Sequence, residues 1–257
     1  MKKTLGLISA FSFLTFAFAY ATPSTHIWAP STDIQPYKKI HVTADTYTPT
    51  TGKGTNSDNY DQHNYVQQVY GLTFSLLPEE NIPGKIMAET GFDYKKGFGS
   101  FYDSTPWYFH FKLGVPEGAY FKNMPAFAAG AYDMGTRPHR TNYNIWYLKG
   151  AKTLTFGKLN LGRFSAGYFN GNGGLLRDKN GLRDNNGPML AWERAIPEIS
   201  DKLWLCVDYQ GTRSSYGAIN YGFAWKFTDN VSVILGYDIY NNHNLTDTVT
   251  LQLDVDF

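Results

Sequence analysis

The chain of 257 residues carries 23 Lys+Arg against 22 Asp+Glu, one cysteine and 17% aromatic residues. Charged residues are 18%, below the roughly 25% of an ordinary soluble domain, yet the mean hydropathy is only −0.36. These figures exclude a disordered chain, a multi-span helical membrane protein, an intrachain disulfide framework and the basic footprint of a nucleic-acid binder.

The N-terminus reads as a targeting segment. Lys2 and Lys3 form a positive region, Leu5 through Phe18 an apolar one, and Ala19-Tyr20-Ala21 supplies a small-residue cleavage site. Residues 1–21 therefore read as a secretory signal peptide. Residues 22–36 follow, with Pro23, Pro30 and Pro36 and an imperfect repeat of Pro-Ser-Thr at 23–25 and 30–32. Prolines at that density predict an extended segment outside any sheet.

From residue 37 onward, alternation with period two dominates. It predicts twelve strands, at 38–47, 65–77, 85–95, 106–115, 125–134, 143–155, 159–170, 188–196, 202–210, 215–228, 231–241 and 247–257. The last shows the pattern best: Val249, Leu251, Leu253, Val255 and Phe257 point one way, and Thr248, Thr250, Gln252, Asp254 and Asp256 the other. In the sixth, Lys149 and Lys152 fall on opposite faces, which predicts a bulge or bend at Gly150.

The connections alternate in length. Those rich in Asn, Gly, Asp and Thr, such as 48–64 and 171–187, are mostly long; those such as 197–201 and 229–230 are short and often open with Pro. Long loops at one rim and short turns at the other characterise transmembrane barrels, and an even strand number places both termini at the short-turn rim. A secreted β-sandwich also alternates. Two features decide against it. Aromatics stand near strand ends on the apolar faces (Tyr94, Trp107, Tyr132, Trp192, Tyr209, Trp225), as an interfacial girdle requires, and charges stand in mid-strand on the opposite faces.

The terminal strand, Val249-Thr-Leu-Gln-Leu-Asp-Val-Asp-Phe257, resembles the C-terminal signal of bacterial outer-membrane β-barrels, which alternates apolar residues and ends on Phe. That resemblance implies an all-β, porin-like antiparallel up-and-down barrel over residues 37–257, in the outer membrane of a Gram-negative bacterium. Both termini would be periplasmic, with residues 22–36 a periplasmic segment. It also implies that Phe257 is an assembly signal read by the barrel-assembly machinery, and that lipid and lipopolysaccharide surround the wall.

Barrels of this size include a phospholipase, whose site needs a Ser beside a His on the lipid-facing side. Among His26, His41, His63, His110, His139 and His243, only His41 and His110 fall within strands, and parity turns both inward. No catalytic residues are assigned, and an enzyme is not expected. Acid-sugar channels would line the pore with arginines, whereas those here lie mostly in loops. The repeat at Asp178-Lys-Asn-Gly and Asp184-Asn-Asn-Gly offers hard oxygens for Ca²⁺ but not the twelve-residue EF-hand spacing, and reads as two Asn-Gly turns. No metal or cofactor is assigned. Cys206 reads as an inward small filler beside Trp204 and Asp208.

The candidate site is the lumen. Parity turns Asp45, Glu89, Asp93, His110, Lys112, Asp133, Arg163, Glu193, Asp208, Lys226 and Asp238 inward. With Asp254, Asp256, Lys39 and Lys149 added, inward acids outnumber inward bases, which predicts a narrow passive channel for small hydrophilic solutes with a mild cation preference. The alternative is a non-conducting barrel with a structural, adhesive or assembly role, its lumen filled by side chains and by residues 22–36.

Overall fold

A computed structural model describes residues 24–50, 66–77, 85–97 and 103–257. The signal peptide, His63 and parts of three connections lie outside the described residues. The strands are β1 (Ile40–Pro49), β2 (Gln67–Ser75), β3 (Met87–Lys96), β4 (Trp107–Val115), β5 (Ala126–Gly135), β6 (Asn142–Phe156), β7 (Leu159–Asn170), β8 (Asn186–Ala195), β9 (Leu203–Gln210), β10 (Ala218–Lys226), β11 (Val231–Tyr240) and β12 (Thr248–Asp256). All twelve were legible in the alternation, with ends displaced by no more than three residues.

Each strand pairs antiparallel with its sequence neighbours, and β12 returns to β1 to close the barrel. The closing seam runs from His41 opposite Asp256 to Pro49 opposite Thr248. Closure satisfies every strand edge, as a wall in lipid requires. The faces are inverted relative to a water-soluble protein. On β12, Leu251 is 50% exposed while Thr250 is fully buried. Outward Trp107, Phe109, Trp146, Leu148, Tyr168 and Phe223 extend that apolar surface around the barrel. Inside lie Glu89, Lys112, Lys149, Arg163, Glu193, Asp208 and Asp254, all buried. Apolar outside, polar within and an even strand count make this the architecture of outer-membrane β-barrels.

Three irregularities break the pleat. Register shifts between Phe109 and Phe111 where β4 meets β5, and again between Tyr132 and Met134 where β5 meets β6. Asp133 sits in that second break at φ 52°, in the left-handed region. Tyr132 shares parity with buried Ala126 and Ala128 and pairs with buried Ile145, so it faces the lumen, where its hydroxyl donates to Gln210 at 3.0 Å. The expectation of Tyr132 on the outer girdle is overturned because Ala126 and Ala128 set the inward face of β5 and Phe127 the outward one; the bulge lets Asp133 turn inward as well. The bulge expected at Gly150 is not there. Gly150 pairs in register with Ala166 and Phe127, and the β6–β7 shift comes at Leu154/Thr155 instead. Lys152 does point outward, but close enough to the rim for its ammonium to meet Glu117 at 2.8 Å.

A plugged lumen as the candidate functional site

The segment expected to extend into the periplasm instead folds back inside the barrel. Residues 24–35 form a narrow hairpin: Ser31 N–H donates to Ser24 C=O at 3.1 Å, and His26 N–H to Ala29 C=O at 2.9 Å across the tip. Its side chains His26, Ile27, Ala29, Ser31, Thr32, Ile34 and Gln35 are buried. Prolines kept this stretch out of the sheet, as their missing N–H dictates, but did not keep it straight.

The wall supplies the hairpin's hydrogen bonds. Asp208 on β9 accepts from three successive backbone amides, Ile27 at 2.8 Å, Trp28 at 3.0 Å and Ala29 at 3.3 Å. Consecutive N–H groups turned to one side form an anion-binding concavity, and the carboxylate fills it. Asn220 on β10 donates to the same carboxylate at 2.7 Å. Gln252 on β12 donates to Ile27 C=O at 2.8 Å. Lys149 on β6 donates to Pro30 C=O at 2.8 Å, and Lys112 on β4 to the carbonyls of Ser24 and Asp33 at 2.9 and 2.6 Å. Glu89 on β3 pairs with Lys112 at 3.0 Å and accepts from Gln35 N–H at 2.6 Å. Arg163 on β7 grips both oxygens of Asp33 and donates to Thr32 Oγ1 at 2.6 Å. Glu193 on β8 stands 3.5 Å from His26 Nε2. Buried charges are tolerated only when paired and hydrogen-bonded. Here the partners of Asp208, Lys149 and Arg163 come in large part from the hairpin.

Apolar contacts finish the seat. Ile27 packs with Trp204, Cys206, Ala224 and Ile234, so the lone cysteine is the small inward filler its position indicated. At the tip, Trp28 meets Tyr47, Tyr216 and Tyr240 edge to face, at centroid distances of 5.5 to 6.5 Å. Such pairs each contribute about 0.5–1.5 kcal/mol beyond the area they bury.

Beside the hairpin a cavity of about 210 Å³ remains, walled by β12 and β1 to β6 and reaching Ser215 and Tyr216 of the β9–β10 connection. Asp45, Glu89, Asp93, His110, Lys112 and Asp133 line it, as do His41, Lys95 and Asp254. Gly71 and Gly91 keep this part of the wall thin. A Cβ on Gly71 would stand 2.8 Å from Asp93 Oδ1, and one on Gly91 2.5 Å from His110 Nε2. His110 Nε2 lies 3.0 Å from Thr73 Oγ1, and its Nδ1 3.8 Å from Asp93.

The lumen candidates thus fall into three groups. Six line the cavity; Arg163, Glu193 and Asp208 hold the hairpin. Two do neither: Asp238 is buried, accepting from Thr248 at 2.7 Å, and Lys226 ends β10 at the rim, where it pairs with exposed Asp229 at 2.9 Å. Sequence reasoning missed Lys95, which pairs with Asp133 at 2.5 Å. It shares parity with Glu89 and Asp93, and that signal was available. In the β7–β8 connection, Asp178 Oδ1 accepts from Asn180 and Leu182 amides at 2.9 and 2.8 Å, as a turn cap does.

No protein-family model and no curated protein sequence matches the chain. Among solved structures it is similar to an outer membrane channel from Pseudomonas putida F1, at 10% identity over 87% of this chain and 97% of that one, with a TM-score of 0.46. It is similar to outer membrane protein Omp33 of Acinetobacter baumannii at 11% identity, over 85% and 98% of the two chains, with a TM-score of 0.45. It is also similar to outer membrane phospholipase A from Escherichia coli at 12% identity, over 86% and 93%, with a TM-score of 0.43. Overlap and identity this low leave the functional reading to the chain's own residues.

Proposed function

We propose that this chain is a non-enzymatic outer-membrane β-barrel whose lumen is closed, in this conformation, by its own N-terminal hairpin. The observation that carries this reading is the seat of residues 27–29 on Asp208, reinforced by Arg163 on Asp33. In this reading the signal peptide exports the chain, the terminal strand addresses it to the barrel-assembly machinery, and lipid and lipopolysaccharide contact the outer face. Both termini are periplasmic, and the β7–β8 connection faces the cell exterior. His41 and His110 serve as lumen groups facing acids rather than as bases for a lipid-facing nucleophile.

The acid-rich cavity supports a second reading, in which the barrel passes small hydrophilic solutes, cations preferentially, once the hairpin is displaced. Planar-bilayer recording tests both. The full-length protein should be silent, and a chain lacking residues 24–36 should give stepwise current, because water can replace the hairpin as partner to the wall charges. Steady current of equal size from both proteins would contradict closure by the hairpin.

A further inference from the structure

The cavity beside the hairpin has a composition of its own. Five carboxylates line it, Asp45, Glu89, Asp93, Asp133 and Asp254, against two lysines and two histidines. Lys112 is taken by Glu89 and Lys95 by Asp133. Asp93 and Asp254 face His110 and His41, at 3.8 and 3.2 Å. Asp45 receives the Thr43 hydroxyl, and among the described residues no Lys, Arg or His side chain comes within ion-pair distance of it. Asp254 is 1% exposed, and its Oδ2 has no hydrogen-bond partner. A buried carboxylate oxygen left without a donor carries a desolvation cost that a bound donor would relieve.

The remaining lining mixes small polar and aliphatic side chains with aromatic ones, Trp28, Tyr47, Tyr108, Tyr132 and Tyr147 among them. Ring faces beside carboxylates attract organic cations through the negative face of the π system. The site already holds one cation in this manner: the Lys95 ammonium lies 4.8 Å from the Tyr108 ring centroid while it bonds Asp133. Solvent reaches these groups, since the side chains of Lys95 and Asp93 are 16% and 22% exposed. At about 210 Å³ the cavity is smaller than the roughly 300 Å³ at which drug-sized pockets begin, so it suits a ligand of few heavy atoms.

We propose that this cavity is a binding site for a small alkylammonium, whose charged nitrogen donates to Asp45 and Asp254 and whose carbon chain lies against the tyrosine and tryptophan rings. The site rests on the closed reading of the lumen, because Trp28 and Ile27 of the hairpin form one of its walls. An uncharged hydroxyl ligand of the same size would leave the excess carboxylate charge uncompensated, and an anion would add to it.

Titration calorimetry of the detergent-solubilised full-length protein tests this with 2-aminoethanol, cationic at neutral pH, and propan-1-ol, its neutral isostere. The ammonium should bind about tenfold tighter or better, the advantage of a charge-assisted donor in a partly desolvated site. Asp45→Asn should remove that advantage. Lys95→Met should increase ammonium affinity, because it frees Asp133 and the seat over Tyr108. Asp238→Asn, an inward acid outside the cavity, should change nothing. Heat-modifiable gel mobility shows that each variant is folded; should Asp45→Asn fail to fold, the gain in Lys95→Met decides. Equal binding of the two probes, binding by neither, or no gain in Lys95→Met would overturn the proposal. Those outcomes leave closure of the lumen standing. Bilayer current from the full-length protein would overturn closure, whatever the calorimetry shows.

Discussion

Arg163 Nη1 lies 2.6 Å and 2.7 Å from the two carboxylate oxygens of Asp33, joining wall and hairpin across 130 residues of chain. Both charges are largely withdrawn from water, and Glu193 stands 3.7 Å from the same nitrogen. Charge-assisted pairs of this kind are among the stronger hydrogen bonds available to a protein. The pair ties the base of the hairpin to β7, while Asp208 holds its tip on β9.

Replacing the arginine should therefore cost more than replacing its partner. Arg163→Met leaves Asp33 and Glu193 without their cation. It should destabilise the seated hairpin by about 2 kcal/mol, less than a fully buried pair because Asp33 is partly exposed. Asp33→Asn leaves Arg163 with Glu193 and should cost about half as much. The frequency of brief openings in bilayer recordings measures both; equal frequencies in the two variants would count against the account.

Asp208→Asn should release the hairpin tip. An asparagine offers one acceptor oxygen where two receive three amides and the Asn220 side chain, and it turns a donor NH₂ toward donors. Proteinase K should then cleave within residues 24–36 of the folded variant and leave the parent intact there, as read by mass spectrometry. Continued protection in the variant would show that the remaining anchors suffice.

A barrel without residues 24–36 should prefer cations. Its wall would present the inward acids with Lys112, Lys149 and Arg163 no longer covered, and acids remain in excess even with Lys95 counted among the bases. The reversal potential in a KCl gradient should show cation selectivity that weakens at high salt, where the screening length falls to about 3 Å at 1 M. Glu89→Gln with Asp93→Asn should reduce it. Anion selectivity would mean that rim charges, not the wall, set the field.

Phe257 should matter for assembly rather than for the finished barrel. Its side chain is 64% exposed, while its backbone exchanges hydrogen bonds with Ile40 at 2.9 and 3.2 Å, which any residue retains. Phe257→Ser should lower the amount of barrel in the outer membrane severalfold. It should leave the unfolding free energy of what does assemble within about 0.5 kcal/mol. Normal abundance in that variant would remove the assigned assembly role.

The wall was legible in the sequence because a barrel in lipid inverts the usual burial and keeps strict parity over each strand. Val249 through Asp256 reveal their faces by alternation alone. On β5 the faces were reversed, since buried Ala126 and Ala128 put Tyr132 inside, and Asp133 joins it there only through a positive φ that no periodicity records. It was over-interpreted at Gly150, where an outward Lys152 near the rim needs no bulge because Glu117 meets it. The site was only half legible. Residue types on the wall identified the charges, but their partners lie 54 to 221 residues away in a stretch whose prolines said merely that it would not join the sheet. The surplus of mid-strand charges facing inward was the one available signal that something polar fills the lumen.

Disulfide trapping in intact cells tests the central claim most directly. Ile27 packs against Cys206, the chain's single cysteine, so Ile27→Cys places a second thiol beside it. Treated with an oxidant, this variant should form an intrachain disulfide between positions 27 and 206. The disulfide would show as faster migration of the denatured, unreduced chain, reversed by reductant, and absent when Cys206 is replaced by Ala. If position 27 is instead labelled freely by a membrane-impermeant maleimide and no disulfide forms, the hairpin does not occupy the lumen and the account fails.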